Sequence, residues 1–162
     1  MLNRTRVDLS PTITILGATL WARLNPDDLD ILRWSVTDFK RIKGFSTDRF
    51  TELHKTELSW LKAHAQVEQI RSDEPTRSVI IFTHHAPTTG TCDPKYAGGP
   101  TESAFITELT NEPCWGPPVK VWAFGHTHWS CDMVKKGVRV VSNQRGYSKG
   151  DKGWNPEFVL EA

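Results

Sequence analysis

Three short apolar runs fix most of what this chain can fold into. The run Thr12-Ile13-Thr14-Ile15-Leu16-Gly17-Ala18-Thr19-Leu20-Trp21, the run from Ser78 to Thr83 and the run from Val119 to Phe124 are rich in β-branched and aromatic residues. Segments of that length and composition, bounded by proline or glycine, read as buried strands. Between the first two, Phe50, Leu53, Glu57 or Leu58, Leu61 and Ala65 recur at three- and four-residue steps. That spacing predicts an amphipathic helix from Thr47 to about Arg71, interrupted near Lys55-Thr56 and ended by Pro75. Asn25 and Pro26, followed by an acidic run, predict a shorter helix start.

Later in the chain the pattern changes. Lys40 to Gly44 reads as loop, and Ala86 to Pro100 as a long irregular loop of the kind that is functional or disordered. A short helix is expected from Glu102 to Thr110, and Pro113 to Pro118 breaks the chain again. Strands near Ser130–Lys135 and Val138–Ser142 flank a turn at Lys136-Gly137, and Phe158-Val159-Leu160 reads as a last edge strand. Strands that alternate with helices and then pair as a hairpin make an α/β domain. With 162 residues, a single domain over 1–162 is expected.

Composition narrows the function classes. Lysine and arginine total 20 against 19 acidic residues, a formal charge of +1, so nothing points to nucleic acid or to an anionic membrane. No apolar run is long enough for a bilayer span, and the N-terminal segment lacks the apolar stretch of a signal peptide. Cys92, Cys114 and Cys131 are odd in number and form no CxxC pair, which reads as reduced thiols in a cytoplasmic protein.

The chemistry lies where two of the apolar runs stop. The second passes directly into Thr83-His84-His85-Ala86-Pro87, and the third into Gly125-His126-Thr127-His128. Strand ends are where open α/β sheets place ligands, and a neutral imidazole there offers a lone pair to zinc, iron or manganese. Gly125 reads as a residue chosen for backbone freedom or close approach. His84 is the stronger ligand candidate of its pair, while His85 either orients the site or touches substrate. His54 and His64, on the amphipathic helix, read as exposed or packing residues. Arg145 can grip a phosphate through two parallel bonds or pair with a surface acid. Tyr96, in the long loop, either lines a substrate pocket or stands in solvent.

The order strand-Thr-His-His-Ala-Pro, loop, helix, strand-Gly-His-Thr-His, hairpin and then Asn143-Gln144-Arg145-Gly146-Tyr147 resembles the C-terminal half of the calcineurin-like metallophosphoesterases. The resemblance extends to Leu16–Ala22 and to Leu58-Ser59-Trp60-Leu61, and so covers nearly the whole chain. It implies an αββα sandwich of mixed sheets flanked by helices, here partial and lacking the N-terminal strands. It also implies His84 and His126 as ligands of one metal and His128 of a second; His85 and Arg145 are the candidates for catalysis and Tyr96 and Asn143 those for substrate binding. The substrate would be a phosphorylated small molecule or a phosphoprotein.

The family's earlier motifs, Asp-x-His, Gly-Asp-x-x-Asp and Gly-Asn-His-Asp/Glu, have no counterpart here. Two dications about 4 Å apart repel by roughly 17 kcal/mol at an effective dielectric near 20, and neutral imidazoles cannot offset that. At most one manganese, iron or zinc ion is therefore expected, with activity impaired or lost in this chain alone. A mononuclear three-histidine zinc hydrolase and a pseudo-phosphatase that binds a protein partner are the alternatives. Strands short of neighbours would leave open edges, from which a homodimer is expected.

Overall fold

The computed structural model describes residues 2–66, 77–147 and 153–160. Its strands are β1 (Thr5–Ser10), β2 (Ile13–Ala18), β3 (Ser78–Thr83), β4 (Val119–Ala123), β5 (Cys131–Lys135) and β6 (Val138–Ser142). They form one mixed sheet in the order β1-β2-β3-β4-β6-β5. The four central strands run parallel, and β1 and β5 flank them antiparallel. The C-terminal ends of β2, β3, β4 and β6 therefore emerge at one edge, and every candidate histidine of the two motifs follows from that edge.

Helices α1 (Leu29–Ser35), α2 (Thr37–Arg41) and α3 (Thr47–Ala65) all lie between β2 and β3 in sequence. As the sequence predicts, the Asn25 side chain caps the turn that leads into α1, accepting from the Asp27 N–H at 3.2 Å. Ser46 caps α3 by accepting from the Arg49 N–H at 3.1 Å. The expected break at Lys55-Thr56 does not occur; the Thr56 hydroxyl donates to the Glu52 carbonyl at 2.9 Å, a bond a threonine makes without leaving the helix. The helix ends at Ala65, with Gln66 extended, and so does not continue toward Arg71 as expected; the expected stop at Pro75 lies outside the described residues. The segment read as loop from Lys40 begins inside α2.

Two other expectations are corrected. In place of a helix over 102–110, a single 3-10 turn covers Glu102–Ala104. Ile106 is then drawn into an isolated bridge with Ala86, which the next helical turn would preclude. Phe158 and Leu160 form no ladder and instead pack as side chains against Ile80, Val121 and Val141. The expected hairpin is present: Lys136 and Gly137 have φ of 43° and 80°, the left-handed pair that a tight two-residue turn demands.

The core follows from strand alternation. Leu16, Val79, Ile81, Trp122 and Val140 point to one face, where Leu58 and Leu61 of α3 cover them. The opposite face is open in part: Val7 is 38%, Phe82 40% and Val134 70% exposed. The described residues thus make an α/β layer with one sheet, and a second sheet of the implied sandwich is not among them. No helix among the described residues is long and apolar enough to cross a membrane.

Candidate functional site

At the edge where the parallel strands end, the backbone brings three histidines together. The His84 and His85 N–H groups both donate to the Thr19 carbonyl at 3.1 Å, and the Gly125 N–H donates to the His84 carbonyl at 3.0 Å. Loops from β2, β3 and β4 are thereby tied to one another. The ring centroids of His84 and His126 lie 4.5 Å apart, and those of His85 and His126 4.3 Å apart. Phe105 stacks on the far side of His126 at 4.6 Å and 21°.

The hydroxyl of Thr83 holds the tandem pair in place. It accepts from the Trp122 indole N–H at 3.0 Å and donates to the His85 carbonyl at 2.8 Å. Strand β3 is in this way locked to β4 just where the histidines leave the sheet.

His126 and His128 have φ of 68° and 52°, and Leu20 has φ of 55°. Each is a non-glycine residue in the left-handed region, a placement that costs on the order of 1–3 kcal/mol and persists where surrounding structure enforces it. Gln144 supplies much of that enforcement. Its Oε1 accepts from the His128 N–H at 2.7 Å, and its Nε2 donates to Thr127 Oγ1 at 3.1 Å and to the Trp129 carbonyl at 3.0 Å. Gly125, by contrast, is not the permissive residue expected of it. A Cβ there would meet His84 only at ordinary contact distances, 3.6 and 3.7 Å.

Charge state follows from depth. Burial pushes the His126 pKa down to about 4, with the neighbouring His84 and His128 adding to the effect. Burial also lowers His84, although the residue is exposed overall, and lowers His85 well below the ordinary histidine value. These imidazoles are neutral near pH 7, the form that donates a lone pair. His85 is 2% exposed and packs against Trp21 and Phe50. Its Nδ1 is a buried polar atom with no partner.

The other sequence candidates stand apart. Arg145 is exposed, its guanidinium 5.6 Å over the Trp154 ring. The Asn143 amide is engaged with the Asn155 backbone, donating at 2.6 Å and accepting at 2.9 Å. Tyr96 lies 59% exposed with the Lys95 ammonium over its ring. His54 is buried on α3, where its Nδ1 donates to the Trp21 carbonyl at 2.6 Å. His64 bonds back to the Trp60 carbonyl of its own helix. Sequence reading missed Gln144 and Phe105. Gln144 lies in the motif Asn143–Tyr147, but no periodicity shows that its amide reaches back to residues 127–129.

Among the described residues no three His, Cys, Asp or Glu side chains stand as a ready metal-holding group. The cluster is histidine-only. Asp38 acts electrostatically on His84, opposing the effect of burial, and Glu57 accepts from the Trp21 N–H at 3.1 Å.

The described residues make an α/β fold, a six-stranded mixed sheet with helices against it. The crystal structure of the phosphopantetheinyl hydrolase PptH from Mycobacterium tuberculosis superposes with a TM-score of 0.60 at 14% identity, over 83% of this chain and 50% of that one. In sequence, the chain is 26% identical over 157 residues to the uncharacterized protein L509 of Acanthamoeba polyphaga mimivirus, covering 92% of itself and 55% of L509. The chain thus spans about half the length of each. No family model matches it.

Proposed function

We propose that this chain carries the histidine side of a metal-dependent phosphoesterase centre, in which His84, His126 and His128 hold one divalent ion. The observation that carries the reading is the convergence of neutral imidazoles, His84 on His126 at 4.5 Å, at the edge where four parallel strands end. The hydrolase fold of PptH supports it in coarse outline.

Imidazole nitrogens would suit one borderline ion such as zinc, manganese or iron, although among the described residues no three His, Cys, Asp or Glu side chains already stand together to hold it. It does not suit two, because among the described residues no carboxylate groups with the histidines as a metal-holding set that would offset their repulsion. A bound ion would supply polarisation of a phosphoryl oxygen and a water of lowered pKa. The chain's own residues do the positioning. Gln144 fixes the turn that carries His128, and Phe105 fixes the face of His126 and shields it from water. His85, buried against Trp21, Phe50, His84 and His126, would act as a positioning residue, and its Nδ1 has no hydrogen-bond partner. Arg145 stands in solvent over the Trp154 ring, and its guanidinium would contact a phosphate only by leaving that ring. The substrate we infer is a phosphate ester of a small molecule or of a phosphoprotein.

Hydrolysis of p-nitrophenyl phosphate with added manganese, compared between the parent chain and His126→Ala, tests this reading. Metal-dependent turnover that disappears on substitution supports it. Metal binding without turnover favours a second reading, a pseudo-phosphatase that binds a protein partner, for which the missing carboxylates and the open sheet face speak.

A further inference from the structure

The turn that follows β2 carries the tandem histidines, and α3 holds that turn in place. The Thr19 carbonyl accepts the His84 N–H and the His85 N–H, each at 3.1 Å. Leu20, fully buried, has φ of 55°, a left-handed placement that persists where its neighbours enforce it. Trp21 is then held at both of its backbone groups. Its N–H donates to Glu57 Oε2 at 3.1 Å, and its carbonyl accepts from His54 Nδ1 at 2.6 Å. His54 and Glu57 stand three residues apart, neighbours on one face of α3, and are only 4% and 3% exposed.

A carboxylate at that depth gives up its hydration. Burial raises the Glu57 pKa, and the Trp21 and Leu20 backbone N–H groups oppose the rise. An apolar side chain at position 57 could fill the space but could not accept from the turn. What the two side chains fix is the indole. The Trp21 ring lies 5.3 Å from the His85 ring and 4.8 Å from that of Phe50, and so makes part of the wall around buried His85. The His85 ring in turn meets His126 at 4.3 Å.

We propose that Glu57 and His54 are positioning residues of the histidine site, acting through Trp21 to set where the His85 ring lies against His126. Ion binding at the site rests on the phosphoesterase reading, whereas the clamp on Trp21 stands on these contacts alone.

Ring NMR spectra of the metal-free full chain and calorimetric titration with zinc test this in Glu57→Leu, Glu57→Gln and Val138→Ala. Val138 is fully buried where β6 begins, at the sheet edge opposite the histidines. Glu57→Leu should displace the His85 and His126 ring signals and weaken zinc binding about tenfold. Glu57→Gln, which keeps an acceptor for the Trp21 N–H, should restore most of both. Val138→Ala should lower the urea midpoint yet leave the ring signals in place and zinc affinity within about twofold. Ring signals or zinc affinity unchanged in Glu57→Leu, or both changed as far in Val138→Ala, overturn the proposal. If Glu57→Leu does not fold, His54→Leu, which removes the donor to the Trp21 carbonyl, carries the same comparison. If the parent chain binds no zinc, the phosphoesterase reading fails and the ring signals alone decide: displacement in the α3 variant beyond that in Val138→Ala upholds the clamp, and equal spectra sink it.

Discussion

Phe105 lies flat against His126, ring centroids 4.6 Å apart at an interplanar angle of 21°. This contact helps keep water off an imidazole whose pKa burial pushes down to about 4. Phe105→Ala should lower stability by about 1–3 kcal/mol through lost apolar burial and should raise the His126 pKa toward its ordinary value. Thermal unfolding and an NMR titration of the His126 ring check the two halves separately. An unmoved pKa would mean that the other walls exclude water by themselves.

Thr83 joins Trp122 to the His85 carbonyl, and Trp122 is fully buried. Thr83→Val keeps the shape but leaves the indole N–H without an acceptor, a loss of about 1–3 kcal/mol. Thr83→Ser should restore most of it. Urea unfolding of the three proteins gives the comparison, and equal midpoints for valine and serine would contradict the bonded role.

Stability should fall with acid in two windows. His126 has a folded pKa of about 4, below its unfolded value of 6.5, so the unfolded chain takes up protons first as pH drops. That stability is complete above about 6.5 and is lost on the way down to about 4. Glu108 continues the trend. Partial burial alone would raise its pKa, but hydrogen bonds from Thr110, Thr88 and Thr89 hold it at about 2. Its contribution is present above the unfolded value of 4.5 and is lost as pH falls through about 2. Urea midpoints at pH 7, 5 and 4 should decline for the parent chain and decline less for His126→Gln.

Gln144 bonds to three consecutive residues, Thr127, His128 and Trp129. Gln144→Ala should weaken divalent-ion binding by about tenfold or more, as loss of an orienting partner typically does. Gln144→Glu retains the acceptor for His128 N–H but not the two donors, and should fall between. Calorimetric titration with zinc reads the series, and an affinity unchanged in the alanine variant would remove Gln144 from the site.

The sequence made the interior legible where physics is local. The β-branched runs of β2, β3 and β4 and the Lys136-Gly137 turn announce themselves, because burial and positive φ each demand particular residue types. Strand β1 did not, because all six of its residues are exposed or half-exposed, polar and apolar without a clean alternation. It is held by the pairing with β2 and by Asp8, which accepts from the Thr14 hydroxyl at 2.6 Å and from Arg77 at 3.0 Å.

The site was legible to the same degree. Its histidines could be read from their position at strand ends, but the burial of His85 and the stacking of Phe105 are decided by tertiary contacts. The turn over 102–104 shows the same override. Residues 105–107 have helical neighbours in sequence, yet the Ala86 N–H bonds to the Phe105 carbonyl and the Thr107 N–H to the Ala86 carbonyl. Those bonds seat Phe105 on His126 and cannot form in a continuing helix.

The central claim is that the histidine cluster holds one divalent ion and no more. Isothermal titration of the dialysed full chain with zinc, repeated on His126→Ala, tests it directly. The expected result is a stoichiometry near one for the parent chain and loss of that binding in the variant. Two tightly held ions per chain, no binding by the parent, or undiminished binding by His126→Ala would contradict it.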